Sequence, residues 1–135
     1  MKKPLAFLSV LCISAAVILQ FASCGEEKNT PPVIAIHSST GYISADDTLT
    51  HGTVFNVWLT ASKTGTEGML NSCSISKRVN GGADSVIQQM NFIYQSLSQT
   101  YSYIAGDSGN IERYTFTVGE LDGGKSSVSL TITDN

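Results

Sequence analysis

The 135-residue sequence lacks the residue patterns on which most enzymes depend. Its two histidines, His37 and His51, have no partner at a metal-ligand spacing such as His-x-x-x-His, and no Cys-x-x-Cys lies near them. A Gly-x-Ser-x-Gly nucleophile motif and a glycine-rich phosphate loop are also absent from the sequence. We therefore expect a protein that is not an enzyme and that binds no cofactor.

Basic residues are scarce, which bears on possible partners. Two of the eight lysines and arginines, Lys2 and Lys3, lie in an N-terminal leader. Without residues 1–23, the remaining 112 residues carry six basic and eleven acidic side chains, a net charge of −5. Proteins that bind nucleic acid usually carry a basic patch that neutralises phosphates. The charge balance argues against nucleic acid as a partner, and the length indicates a single domain.

Cysteine is scarce as well, and the three cysteines have different expected roles. Cys12 belongs to the leader and Cys24 directly follows it, so Cys73 would be the single cysteine of the folded part. No intramolecular disulfide could then form. An odd cysteine in an exported protein can be a reactive thiol. Cys73 lies in an apolar stretch between Leu70 and Ile75, however, which favours a small buried residue.

The N-terminus contains the three parts of an export signal. Lys2 and Lys3 supply positive charge, residues 5–21 are largely apolar, and two small residues precede Cys24. Residues 5–24 resemble the lipobox of bacterial lipoproteins, with Phe21 where an aliphatic residue is usual. The resemblance implies that residues 1–23 are a signal peptide and that the Cys24 thiol receives a lipid. A transmembrane anchor and a plain secretory signal are the alternatives.

The residues after Cys24 bear on where the protein is held. Residues 24–32 read as a lipidated cysteine and a tether, and acyl chains anchor a protein without any transmembrane helix. Glu26 and Glu27 resemble the surface-export signal of Bacteroidota lipoproteins, which place carboxylates just after the lipidated cysteine. That resemblance implies an outer-membrane protein exposed at the cell surface. A domain that faces the periplasm is the alternative.

Residues 33–135 have the pattern of an all-β domain. Short stretches of alternating apolar and polar residues are separated by glycine-rich turns, most clearly over residues 53–61. Residues 86–94 are ambiguous, but their aromatic and β-branched residues favour a strand. Residues 42–43 suggest a short strand, and Asp46 and Asp47 suggest a turn. We predict an antiparallel two-sheet sandwich of about seven strands.

The end of the chain carries a family resemblance. Residues 114–118, Tyr-Thr-Phe-Thr-Val, are followed by the Asp-Gly-Gly turn at 122–124 and an alternating strand at 127–132. This ending resembles the last hairpin of bacterial immunoglobulin-like domains of the polycystic-kidney-disease and cadherin-like branches. The resemblance implies an immunoglobulin-like sandwich. It also implies a tyrosine corner, in which the Tyr114 hydroxyl would bond a backbone group near the start of the penultimate strand.

Aromatic residues provide the candidate ligand face. Trp58, the only tryptophan, alternates with Phe55 and Val57 and would face outward if those residues face the core. Tyr101 and Tyr103 repeat the pattern on another strand. An exposed aromatic face can stack on sugar rings or anchor a protein. We predict Trp58, Tyr101 and Tyr103 as this face; a loop covering Trp58, or a reversed register, is the alternative.

Two short motifs suggest modification. Asp47-Thr48-Leu49 and Asp84-Ser85-Val86 resemble the acceptor motif of Bacteroidota protein O-glycosylation, which makes Thr48 and Ser85 candidate sites.

Acidic residues in predicted turns raise calcium as an alternative, because Ca²⁺ prefers oxygen ligands. Turn aspartates usually bond their own backbone instead, and we predict no metal site. The residues concerned are Asp46, Asp47, Asp107, Glu120 and Asp122.

The sequence favours a surface-anchored, non-catalytic binding or adhesion module that recognises a glycan or a protein ligand. The alternative is a structural accessory subunit of an outer-membrane or polysaccharide-uptake complex. The expected partners are the membrane, through the N-terminal lipid, and this glycan or protein. Fold resemblance does not choose between the two functions, because sandwiches host unrelated activities.

Overall fold

The computed structural model describes residues 30–65 and 68–135, and the strands found there confirm an all-β fold. The predicted signal peptide, Cys24 and the first residues of the tether lie outside the described residues. The strands are β1 (Val33–His37), β2 (Asp47–Leu49), β3 (Val54–Ser62), β4 (Leu70–Val79), β5 (Ser85–Tyr94), β6 (Ser96–Ile104), β7 (Ile111–Glu120) and β8 (Lys125–Asp134).

The strands form the two sheets of a β-sandwich. Sheet A has the order β1-β3-β6, and sheet B has the order β2-β8-β7-β4-β5. Most neighbouring strands are antiparallel, but β2 runs parallel to β8. The predicted two-sheet antiparallel sandwich of about seven strands is confirmed, with eight strands in the described chain and β2–β8 as a parallel pair within sheet B.

Period-two alternation builds the core, as the sequence predicts. In β3, Phe55, Val57 and Leu59 are buried, and the residues between them face outward. The same alternation buries Tyr114 and Phe116 in β7. The two sheets close over these apolar faces, because removing apolar area from water is the main favourable contribution to folding. The remaining buried apolar residues are Ala61, Leu70, Cys73, Ile75, Leu97, Tyr101, Ala105, Val118, Leu130 and Ile132.

The β2 region differs from the prediction because of a side-chain contact. Residues 42–43 do not form a strand, although the Ile43 amide donates to the Asn56 carbonyl at 2.8 Å. Instead, the Asp46 carboxylate accepts from the Thr131 amide at 2.7 Å, and the next three residues pair with β8. Asp46 thus fixes the entry to a strand that begins at Asp47, which local turn propensity does not reveal.

The turn between β4 and β5 matches its sequence signal. Asn80 and Gly81 both have positive φ, at 50° and 72°, and the Gly82 amide donates to the Val79 carbonyl at 2.9 Å. Two consecutive positive φ angles are the conformation of a type I′ turn, for which Asn-Gly is the preferred pair. The Asn80 side chain also accepts from the Ile111 amide, at 2.8 Å, which ties this turn to the start of β7.

Gly81→Ala should lower the free energy of unfolding by about 1 to 2 kcal/mol, because a Cβ disfavours the left-handed region. Nothing lies within 4 Å of the position that this Cβ would occupy, so steric crowding does not contribute. Urea denaturation measures the change. Gly65→Ala is the control, since Gly65 lacks a positive φ and its Cβ would make only an ordinary contact with the described residues, 3.8 Å from the Gly68 amide nitrogen. Equal destabilisation by both substitutions would contradict the role of the left-handed turn.

Candidate functional site

The outer face of sheet A carries an aromatic cluster, which we define as His37, Tyr42 and Trp58. Trp58 lies in the central strand β3, opposite His37 of β1 and Thr100 of β6. The ring centroids of His37 and Trp58 are 4.9 Å apart, and those of Tyr42 and Trp58 are 6.0 Å apart. Trp58 is half-buried by these neighbours, so part of its indole ring remains accessible to solvent.

Hydrogen bonds hold the cluster in place. The Trp58 indole N–H donates to Ser98 Oγ at 3.1 Å. His37 Nε2 lies 2.6 Å from Thr60 Oγ1, and the Tyr42 hydroxyl lies 3.5 Å from Thr100 Oγ1. Each ring is thus bonded to a hydroxyl on a neighbouring strand. Side chains fixed in this way lose little conformational entropy when a ligand binds.

The surface around Trp58 is rich in hydroxyl groups. The outward positions of β3 and β6 alternate with their buried residues and contain no Asp, Glu, Lys or Arg. A depression of about 310 Å³ crosses all three strands, and Ser98, which accepts the bond from Trp58, forms part of its lining. Its lining residues are Val33, Ala35, Thr60, Ala61, Ser62, Ser96, Leu97 and Ser98.

Tyr101 and Tyr103 do not share this face, and the predicted grouping with Trp58 is wrong. The β3–β6 register places Tyr101 opposite Val57 and Tyr103 opposite Phe55, which are both core residues. Trp58 lies opposite Thr100, so the two tyrosines point to the other side of the sheet. Tyr101 is buried, and Tyr103 is largely buried. Burial is also the main reason that the pKa of each phenol is raised.

The role of Cys73 as a buried residue is confirmed. Its thiol lies in the core, 3.6 Å from the Tyr101 hydroxyl. Desolvation raises the pKa of the Cys73 thiol, and the contact with Tyr101 lowers it by a smaller amount. A buried thiol with a raised pKa is a poor nucleophile.

His37 and Tyr42 complete the cluster but escaped the sequence analysis. His37 alternates with apolar residues in β1, and only the pairing of β1 with β3 places it next to Trp58. Tyr42 lies in a loop, where period-two reasoning says nothing about direction. Neither position carries a local signal that distinguishes it from an isolated surface residue.

Both candidate glycosylation sites are on the surface. Thr48 is exposed in β2, and its amide donates to the carboxylate of Asp47 at 2.8 Å. Ser85 is exposed at the start of β5. The neighbouring Asp84 forms two hydrogen bonds with Arg78, at 2.9 and 2.6 Å, which lower the pKa of Asp84. Exposure is compatible with modification, which itself stays a prediction.

The turn carboxylates do not converge on a cation site in the described part of the chain. There, no group of three His, Cys, Asp or Glu residues has an arrangement that could hold a metal ion. The carboxylates accept backbone hydrogen bonds instead. Asp122 accepts from the Gly124 amide at 2.9 Å, and Glu120 accepts from the Thr64 amide at 3.3 Å.

A buried group of charged side chains lies at the end of the sandwich where β7 begins and β8 finishes. Glu112 pairs with Lys77 at 2.5 Å and accepts a hydrogen bond from the Tyr114 hydroxyl at 2.8 Å. The predicted tyrosine corner is therefore wrong, because the Tyr114 hydroxyl bonds a carboxylate instead of a backbone group. Burial is the main reason that the pKa of this hydroxyl is raised, with the bond to Glu112 as the second.

Asp134 lies in the same group without satisfied hydrogen bonds. Its side chain is 2% exposed, and neither carboxylate oxygen has a partner in good hydrogen-bond geometry among the described residues. Desolvation, followed by the charge of Glu112, raises the pKa of Asp134. Lys77, the nearby Gly106 amide and His51 lower it by smaller amounts. The folded protein therefore holds the proton of Asp134 to a higher pH than the unfolded chain does.

The contribution of Asp134 to stability should fall as the pH rises. The pKa of Asp134 in the folded protein lies above the reference value of 3.8. The contribution of Asp134 to stability is therefore fully present below pH 3.8 and is lost as the pH rises through the pKa of the folded state. Asp134→Asn removes this titration and keeps the shape of the side chain. Denaturant midpoints give the stability of Asp134→Asn relative to that of the original chain. We expect this difference to increase in favour of Asp134→Asn between about pH 4 and pH 7. A difference that stays constant over this range would contradict the raised pKa.

Comparison with protein-family models and with curated proteins gave no match. Within residues 30–65 and 68–135, no helix has the length and apolar character needed to cross a membrane.

Proposed function

We propose that this chain is a non-catalytic binding module that recognises a glycan through the aromatic cluster on sheet A. The module is held at the outer membrane by a lipid on Cys24 and is exposed at the cell surface. The observation that carries the proposal is the Trp58 ring, supported by His37 and Tyr42, within a face of hydroxyl groups.

The chemistry of the face suits a neutral sugar. An indole ring offers an apolar surface on which the C–H groups of a pyranose can stack. The surrounding Ser and Thr hydroxyls can both donate and accept hydrogen bonds, as sugar hydroxyls do. The outward positions of β3 and β6 carry no Asp, Glu, Lys or Arg, so nothing on them selects for a charged ligand. A neutral oligosaccharide is therefore the favoured ligand class.

The emission of Trp58 tests this proposal directly, because Trp58 is the only tryptophan of the chain. Neutral oligosaccharides such as maltoheptaose, cellohexaose and xylohexaose are titrated against the protein. We expect at least one of them to change the intensity or the emission maximum. Emission that does not respond to these sugars or to polysaccharides from bacterial and host surfaces would contradict the proposal.

Trp58→Ala should weaken binding of the responding sugar about tenfold or more, since loss of stacking on this scale corresponds to about 1.4 kcal/mol. Isothermal titration calorimetry measures the affinity without using the tryptophan signal. Tyr94→Ala is the matched control, because Tyr94 is a 56% exposed aromatic residue of sheet B. Equal losses in the two variants would argue against a site at Trp58.

The anchoring part of the proposal has its own test. Cys24→Ala removes the thiol to which the lipid would be attached, so the variant should remain unprocessed and lack the lipid mass. Metabolic labelling with an alkyne-bearing fatty acid measures attachment, and Cys73→Ala is the control that should retain the label. A labelled Cys24→Ala variant would contradict lipidation at this residue. Protease treatment of intact cells then tests surface exposure, since a domain that faces the periplasm would be protected.

A second candidate function is a structural accessory subunit of an outer-membrane or polysaccharide-uptake complex. The observation that favours it is the edge strand β5, where Val86 and Ile93 are both more than half exposed. Exposed apolar residues on one strand are typical of a surface that contacts another protein. Co-purification with one membrane partner, without affinity for any glycan, would support this function over the first.

A further inference from the structure

Sheet B is wider than sheet A, and it extends beyond sheet A on the side of β5. Sheet A has three strands and sheet B has five. β6, the last strand of sheet A, packs against β4 and β7: the Tyr101 hydroxyl is 3.6 Å from the Cys73 thiol, and the ring centroids of Tyr101 and Phe116 are 5.9 Å apart. β5 pairs with β4 on the side away from β7. Sheet B therefore extends one strand beyond β6, and no described strand of sheet A covers β5.

The uncovered side of β5 is apolar and partly ordered by its own contacts. Met90 lies opposite the core residue Cys73, so Met90, Phe92 and Tyr94 face the interior side of the sheet. The rings of Phe92 and Tyr94 are stacked, with centroids 5.3 Å apart. Met90 and Phe92 pack against the core, whereas Tyr94 is more than half exposed. This side of β5 is an apolar floor next to the edge of β6.

The edge of β6 is suited to accept another strand. Its nine residues, Ser96–Ile104, pair with β3 without a register shift, and no described strand pairs with its other side. Edge strands are commonly protected by Lys, Pro or a bulge. β6 has none of these, and residues 85–106 contain no charged side chain at all. A regular row of backbone donors and acceptors is thus open along β6.

We propose that the groove between the β6 edge and the β5 floor binds an extended segment of another protein by strand addition. The segment would extend sheet A with backbone hydrogen bonds to β6, and its alternate side chains would cover Met90, Phe92 and Tyr94. Because the walls carry no charge, these alternate residues are apolar and uncharged. About seven to nine residues match the length of β6. The inference is independent of glycan recognition at Trp58, which lies on the opposite face of sheet A.

The geometry argues against a second copy of this chain as the occupant. If two β6 strands paired symmetrically, the second copy's β6 would extend sheet A of the first copy. The second copy's β4, which lies beneath its own β6, would then occupy the same space as β5 of the first copy. The two sandwiches would collide there, whereas a single extended strand has no second sheet that could overlap β5. The chain before Thr30 is disfavoured as well, because it joins β1 at the other edge of sheet A and includes the consecutive charges Glu26, Glu27 and Lys28.

A pair of neighbouring glutamines provides the test. Gln88 lies opposite Ile75 and contacts Met90 through its amide, 3.8 Å from the sulfur, so it belongs to the floor. Gln89 lies opposite Ser74 and faces the other side of the sheet. Both residues are exposed. Gln88→Lys and Gln89→Lys therefore introduce the same charge at adjacent exposed positions, but only the first places it in the groove.

The probe is a fluorescent peptide in which Thr and Val alternate over seven residues, with one Lys at each end for solubility. Its anisotropy is measured against the full-length chain in nonionic detergent, with empty micelles subtracted. We expect saturable binding below about 1 mM. Gln88→Lys should weaken it about tenfold or more, because a charge would be buried without a partner, while Gln89→Lys should leave it within about twofold.

Several results would overturn the proposal. They are an absence of saturable binding, equal losses in the two lysine variants, and equal binding of a peptide with Lys at the central Val. Light scattering of the full-length chain without peptide adds an independent outcome. A dimer that Gln88→Lys dissociates and Gln89→Lys does not would identify a second copy as the occupant and would also overturn the proposal. Loss of glycan binding in Trp58→Ala bears on none of these measurements.

Discussion

The alternation of β3 and its register with both neighbours is the constraint on which the rest of the structure depends. Phe55, Val57 and Leu59 enter the core, so Trp58 must point outward. Because β6 pairs with β3 over nine residues without a shift, the same register sends Tyr101 inward and aligns Thr100 with Trp58. A slip of one residue would exchange the faces of β6 and bring its hydroxyl residues into the core. The aromatic cluster and the core thus follow from one pairing.

A second constraint comes from charges that the fold buries. Glu112 has a cation and a hydroxyl as partners, whereas Asp134 is equally buried without a satisfied hydrogen bond. Gly106 fits between these carboxylates because it has no side chain, and a Cβ there would overlap the Glu112 carboxylate. Burying a charge is costly unless it is paired, and this cost is the main reason that the pKa of Asp134 is raised. This end of the sandwich combines close packing with an imperfectly satisfied polar group.

Much of the fold follows from the sequence because it depends on local patterns. The alternation of residues 53–61, the Asn80-Gly81 turn and the final hairpin each specify their structure within about ten residues. The errors concern long-range partners. The local sequence around Asp46 predicts an ordinary turn, and its bond with the Thr131 amide forms only in the folded chain. The Tyr114 hydroxyl likewise contacts Glu112 only in the folded β7. The candidate site divides in the same way. The outward direction of Trp58 is local, whereas the grouping of His37 with Trp58 requires the β1–β3 register, which no single segment contains.

The single residue Gln95 connects β5 to β6, so the chain passes directly from one sheet to the other. This direct connection between the two sheets determines which hydrogen bonds would bear a pulling force. The N-terminal end enters through β1, and a partner strand added at β6 would join the same three-stranded sheet from its other edge. Tension between the N-terminal end and that partner would cross the hydrogen bonds of sheet A alone. Sheet B, which contributes Tyr114 and Phe116 to the core, would remain outside the loaded path.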